Sequence, residues 1–327
     1  KPLRMSTVVE DKRLAQLFRY KVLSHEAWIY KGKLVALTQA DYVDSAGISF
    51  ILSGKKNNWP VKDDFVADAD TAKTFLQINP AQLPDKNIPL RYAAVFGYRP
   101  GGYSIRGVAY DRLRHTRRVY FTNDIILSAY FHYWHELRDP DFKKGLAYTP
   151  DSNRIIMEVK SRYPYAFPDE LHEHNDEYHR THMICYESVA PDDGASRGAL
   201  ARAVIADLDH LLGLHGRFET RKTKCLVLVR TSTEDKLKAP ANVTQTTGRE
   251  SVGAWHNRSL KDLAETINKR SMPVLDETGY TGNVYMDLNI SSWTDIPALR
   301  KALHAYDLDL KEEERDLELF ILTETKQ

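Results

Sequence analysis

The chain has 327 residues, 42 % of them hydrophobic and 28 % charged, the makeup of a folded globular protein with two or three cores rather than of a disordered or membrane-embedded one. With 46 Lys and Arg against 45 Asp and Glu the net charge is +1, so no chain-wide field draws it onto nucleic acid, and no apolar run approaches the roughly 20 residues that span a bilayer. Its two cysteines, Cys185 and Cys225, are too few for a disulfide scaffold and too far apart for a dithiol motif or a zinc knuckle.

The chain starts at Lys1 with neither an initiator Met nor an apolar signal core, and so reads as a processed or truncated product. Asp11 to Phe18 is a short amphipathic stretch, Glu26 to Tyr30 and Lys33 to Thr38 read as strands joined in a hairpin at Gly32, and Asp44 to Leu52 reads as a helix. Pro60 and a run of acidic and basic residues break the pattern over Asn57 to Asp70, which predicts a linker and a domain boundary near residue 60. Period-2 apolar runs return at Pro89 to Phe96 and Ser104 to Ala109, on either side of a Gly/Pro-rich turn at Arg99 to Gly102, the pattern of antiparallel strands with one covered face. Next, Arg112 to Arg118 forms a basic patch suited to an anionic headgroup, glycan or phosphate, or else a solvated strand end.

From here the sequence repeats an order of elements. In the first copy Asn123 caps a helix carrying Ile126, Ala129, Tyr130 and Tyr133, and strands follow at Arg154 to Lys160 and Met183 to Ser188. A second helix carrying Leu200, Val204, Leu208 and Leu211 stops at Gly213, ahead of a hairpin from Phe218 to Thr231. In the second copy Ser259 and Asp262 form a capping box before the stripe Leu260, Leu263, Ala264 and Ile267, and Val284, Met286, Leu288 and Ile290 alternate as a half-buried strand. A helix from Asp295, with Pro297 in its first turn, precedes a closing hairpin built from Leu308 to Lys311 and Leu317 to Leu322. The two hairpins align without gaps, Cys225 on Leu317 and Val227 on Leu319, but differ in sign, Arg221 to Lys224 against Glu312 to Glu314, which permits mutual attraction or separate partners.

Candidate chemistry is sparse. His172, His174, His179 and His182 lie within Glu170 to His182 and are of metal-ligating type, but their spacing fits no standard metalloenzyme motif and the segment has the composition of a polar connecting loop. Cys185 and Cys225 fall in strands on either side of one helix, either as a disulfide or as two buried free thiols. No Gly-x-Ser-x-Gly, Walker or dinucleotide-binding glycine pattern occurs, so no catalytic residue, cofactor or metal ligand is assigned.

The string Pro273-Val-Leu-Asp-Glu-Thr-Gly-Tyr-Thr-Gly282, between the helix Ser259 to Ala264 and the strand Asn283 to Ile290, resembles a turn of the soil-associated domain of unknown function found in bacterial envelope proteins. The resemblance covers residues 89–325. In that turn Gly279 and Gly282 suit positive-φ positions, and Asp276 and Thr278 can bond their own backbone. Thr7 to Lys55 is similar to the second half of thioredoxin-like redoxin proteins, with Ser24 in place of the cis-proline and the Cys-x-x-Cys half outside this chain.

The expected fold is therefore α+β: the partial thioredoxin-like segment at 1–58, a linker at 59–86, and two βαββ modules with mostly antiparallel sheets at 87–235 and 236–327. Together these features imply a non-catalytic binding or scaffolding protein that is not membrane-spanning, with a protein or peptide partner and no nucleic acid, and the resemblance implies a periplasmic or outer-membrane-associated location. A place in an outer-membrane nutrient-uptake assembly rests on the resemblance alone. The alternatives are a thiol-disulfide protein whose dithiol lies upstream of Lys1, and a metal-dependent hydrolase built on His172 to His182.

Overall fold

The computed structural model describes residues 11–21, 23–57, 59, 61, 62, 74–76, 91–100, 104–139, 150–166, 176–238, 252–268 and 272–325. Its class is α+β, with antiparallel strand pairs outnumbering parallel ones, and no helix among the described residues is long and apolar enough to cross a membrane.

Helix α1 (Lys12–Leu17) is capped by Asp11, whose carboxylate accepts the amides of Arg13 and Leu14, but buries none of its residues. Strands β1 (Glu26–Tyr30) and β2 (Lys33–Thr38) pair through Lys31 and Gly32, both at positive φ, as a two-residue turn matched to strand twist requires. Asp44 caps α2 (Ser45–Leu52), and the peptide bond between Leu23 and Ser24 is cis. Trp59 packs its ring 5.4 Å from Trp28, 4.8 Å from Tyr42 and 5.3 Å from Phe50, and the Lys62 amide donates to Leu37 O at 2.8 Å. Trp59 and Lys62, on the linker side of the boundary expected at residue 58, thus contact the N-terminal segment.

The chain packs as two compact units, Lys1–Ala147 with Ser161–Leu212, and Tyr148–Lys160 with Gly213–Gln327. The division expected at 235/236 thus falls inside the second unit. In the first unit β3 (Tyr92–Gly97), β4 (Ile105–Asp111), β5 (Thr116–Asp124) and β7 (Ile184–Pro191) form an antiparallel sheet in the order β3-β7-β5-β4. Helices α3 (Ile126–Arg138) and α5 (Arg197–Leu212) supply its core, with Tyr133 of α3 6.0 Å from the Phe121 ring and Phe121 stacked 5.5 Å from Tyr186. Two buried tyrosines find carboxylates on α5: Tyr130 donates to Asp209 at 2.7 Å and Tyr186 to Asp207 at 2.5 Å. Asn123 is not the cap of α3. It sits at φ +47 where β5 shifts register against β7, and its amide clasps the backbone of Arg99, accepting from the N–H and donating to the carbonyl at 2.8 Å each.

In the second unit, β8 (Leu214–Arg230) and β12 (Leu308–Glu324) are each one 17-residue strand, not a hairpin, and they pair antiparallel along their whole length. Their charged middles face each other rather than turning: Lys222 lies opposite Asp316 and Lys224 opposite Glu314. The short β10 (Val274–Asp276) runs parallel to β8, and β6 (Ile155–Glu158) runs parallel to β12, which gives the order β10-β8-β12-β6. Each short strand therefore pairs with the long strand from the other half of the sequence. Leu226, Leu228, Leu308 and Leu310 share one core with α6 (Leu260–Asn268), α7 (Ile296–His304) and the paired β9 (Ala254–Ser259) and β11 (Asn283–Asp287). The Ser259–Asp262 capping box closes in both directions, and Asp295 caps α7.

Candidate functional site

Strand β4 ends the first unit's sheet, so one side of it has no strand beside it among the described residues. Such an edge offers main-chain donors and acceptors to an extended chain. It is also apolar on the outside, with Val108 42 % and Tyr110 59 % exposed. A glycine is required at 107 because the Tyr120 ring lies against it: a Cβ there would sit 2.9 Å from the Tyr120 hydroxyl.

Between this edge and the helices lies a cleft of about 170 Å³, walled by Arg106, Val108, His132, Glu136, Arg197 and Leu200. Arg106 is fixed by Asp124 and reaches Ser128 Oγ at 3.4 Å. Across the cleft Glu136 meets His132 Nε2 at 3.5 Å and Arg197 Nε at 3.0 Å. Burial alone raises the Glu136 carboxyl, but the His132 hydrogen bond and the Arg197 charge outweigh it and hold the group below the usual carboxylate range. Burial, together with the nearby Glu136, pushes the Tyr133 phenol up, so it stays protonated at the cleft wall. The charges are already paired, so the cleft is equipped to hold a side chain in place: apolar wall on one side, guanidinium and carboxylate on the other.

Cys185 and Cys225 are free thiols, buried in different units, so of the two states left open by sequence the structure has the unbonded one. Cys185 donates to Asn123 Oδ1 at 3.4 Å and Cys225 to Glu313 O at 3.5 Å, and burial raises both thiols, which opposes thiolate chemistry. His172 and His174 lie outside the described residues. His179 and His182 sit on α4 (Asp176–His182), where the His182 ring stacks 4.5 Å from Tyr178 and meets Tyr163 edge-on at 4.7 Å. Among the described residues no three His, Cys, Asp or Glu side chains converge as a metal site.

In the basic patch three of the arginines are engaged by carboxylates, Arg114 with Asp111 at 2.6 Å, Arg117 with Asp193 at 2.6 Å and Arg118 with Glu187 at 2.5 Å, while Arg112 is exposed. In the turn of the second unit, Asp276 Oδ1 accepts the Thr278 amide at 3.0 Å and hydroxyl at 2.6 Å, and Gly279 has φ +65. Gly282 is not at positive φ; it is small because the Tyr280 ring lies 3.1 Å from where its Cβ would be.

Sequence reasoning missed two arrangements. One is a pair of matched ion-pair clusters in the second unit: Arg221 with Glu219 and Glu158, and Arg315 with Glu313 and Glu277, each arginine two residues beyond one carboxylate and reaching across the neighbouring strand to the other, at the end of β6 or just past β10. By strand alternation they share a face with the buried row Cys225, Val227, Leu317, Leu319 and Ile321. The other is the buried Arg118–Glu187 pair. The contacts to Glu158, Glu277 and Glu187 have no local signal, since those partners come from separate strands, whereas the Glu219–Arg221 and Glu313–Arg315 spacings are a local trace. The chain matches no protein-family model, no curated protein and no solved structure.

Proposed function

We propose that this chain is a non-catalytic binding protein of the cell envelope that takes an extended protein segment along β4, with a side chain of that segment seated in the adjoining cleft. The observation that carries the reading is the apolar β4 edge, which has no strand beside it among the described residues, next to a cleft whose Arg106, Glu136 and Arg197 are held ready by their own partners. Preorganised polar groups next to an open strand edge lower the entropy cost of ordering a peptide there. The envelope setting is supported by the resemblance of the sequence. We further read the two halves of residues 92–325 as copies of one segment, supported by left-handed Asn123 and Asn257 ahead of α3 and α6, and left-handed Gly213 and Asp307 opening β8 and β12.

The test is selection of binders from a library of extended peptides, followed by hydrogen exchange on the complex. Protection of the amides of residues 105–111 is expected, together with loss of binding in Val108→Asp. Binders that protect other strands and leave β4 unchanged would refute the edge as the site.

A further inference from the structure

The cleft beside β4 is built with its positive groups in front and its negative groups behind. Arg106 lies opposite Phe121 and Val108 opposite Val119, and Phe121 packs on Tyr133, so Arg106 and Val108 share the helix side of the sheet. Facing them, Ser128, His132 and Glu136 follow at four-residue spacing and occupy one face of α3. In each ion pair the carboxylate is the more buried member. The Asp124 side chain is 7 % exposed against 29 % for Arg106, and that of Glu136 is 11 % exposed against 52 % for Arg197 and 24 % for His132. Arg106 spends Nε and Nη2 on Asp124 and reaches Ser128 through Nη2, so its Nη1 makes no hydrogen bond among the described residues.

A group entering the cleft therefore meets guanidinium and imidazole edges before it meets a carboxylate. Arg106 and Arg197 offset Asp124 and Glu136, and protonation of His132 leaves a positive surplus, so these groups never hold a negative one. We propose that the side chain seated here is acidic, an aspartate or glutamate of the extended segment, with its carboxylate on Arg106 Nη1 and its stem against Val108 and Leu200. The inference rests on the reading of β4 as the docking edge and adds which residue the cleft selects. Side chains of an added strand alternate as those of β4 do, so those on the helix side fall beside Arg106 and Val108. A carboxylate there gains a charge-assisted hydrogen bond from a donor already fixed in place, its amide isostere gives up the charge, and a lysine meets like charge.

The probes are four fluorescein-labelled peptides, Thr-Val-Thr-Xaa-Thr-Val-Thr with Xaa as Glu, Asp, Gln or Lys, titrated into the full chain by fluorescence anisotropy. The better of the two acidic peptides is expected to bind saturably and at least about tenfold tighter than the glutamine peptide, with the lysine peptide weakest. Arg106→Gln combined with Asp124→Asn removes that ion pair without stranding a buried charge, and should bring the acidic and glutamine affinities to near equality. Arg197→Gln, at the rim, serves as the second variant should the first fail to fold, and should lower the acidic preference at least about threefold. Equal affinity for acidic and glutamine peptides, tightest binding by the lysine peptide, no saturable binding by either acidic peptide, or an acidic preference that survives loss of Arg106 overturns the proposal. Hydrogen exchange separates this inference from the reading it rests on. Equal binding that protects the amides of 105–111 leaves the edge standing and removes the acidic selection, whereas an Arg106-dependent acidic preference without that protection keeps the carboxylate site and removes the edge.

Discussion

At the scale of single residues the first unit hides charge in its sheet. Arg118 and Glu187 are both nearly excluded from solvent, and each satisfies the other only because β5 and β7 are neighbours. Removing one partner strands the other in a medium of low polarity, which costs about 3–5 kcal/mol, whereas replacing both by apolar groups is often close to neutral. Glu187→Gln is therefore expected to lower the unfolding free energy by about 3 kcal/mol in urea denaturation, and Arg118→Met with Glu187→Leu by clearly less. Glu136 predicts a pH dependence. Its folded pKa is depressed, so its contribution is complete above the unfolded value, near 4.3, and is lost as pH falls through the folded one. The difference in melting temperature between wild type and Glu136→Gln should shrink from about pH 5 toward pH 3. A difference that grows over that range would contradict the assignment.

Elements were legible in proportion to how local their signals are. The α6 stripe of Leu260, Leu263, Ala264 and Ile267, its capping box and the capped start of α7 all appear where spacing places them, because helix geometry couples residues within one or two turns. Ser259→Ala is expected to cost about 1 kcal/mol in chemical denaturation. The long strands were read as hairpins because Arg221 to Lys224 and Glu312 to Glu314 interrupt the apolar alternation as turn residues do. In the sheet those charges meet across the ladder, so no turn is needed. Asn123 reads as a helix cap by position and is instead, like Asn257, the left-handed residue of a bulge ahead of a helix, α3 in one case and α6 in the other. Asn257→Gly should leave stability nearly unchanged, while Asn257→Ala, which meets the left-handed penalty, should lose about 1 kcal/mol in the same assay.

At the scale of the whole molecule, the sheet of the second unit interleaves the two halves of the sequence. The order β10-β8-β12-β6 gives each short strand a long partner from the other half, so neither half holds this sheet complete. Residues 236–327, expressed alone, are predicted to lack cooperative melting, and residues 87–235 alone to leave the β8 amides unprotected from exchange. Mixed, they should regain cooperative melting, with β8 and β12 amides protected from exchange. Independent cooperative folding of 236–327 by circular dichroism would sink this reading of the sheet.

The sequence by itself determined the α+β class, the helix stripes, the caps of α6 and α7, and the bonding pattern of the Asp276–Thr278 turn. Each depends on residue type and on neighbours a few positions away. Only tertiary structure decided which strands pair, that Cys185 and Cys225 are free thiols, that Arg114, Arg117 and Arg118 of the basic patch are already matched, and that the Phe75 amide reaches Glu187 in the sheet. Those outcomes depend on which distant segment offers the complementary charge, ring or ladder, and loop closure over long separations leaves no local trace in the sequence.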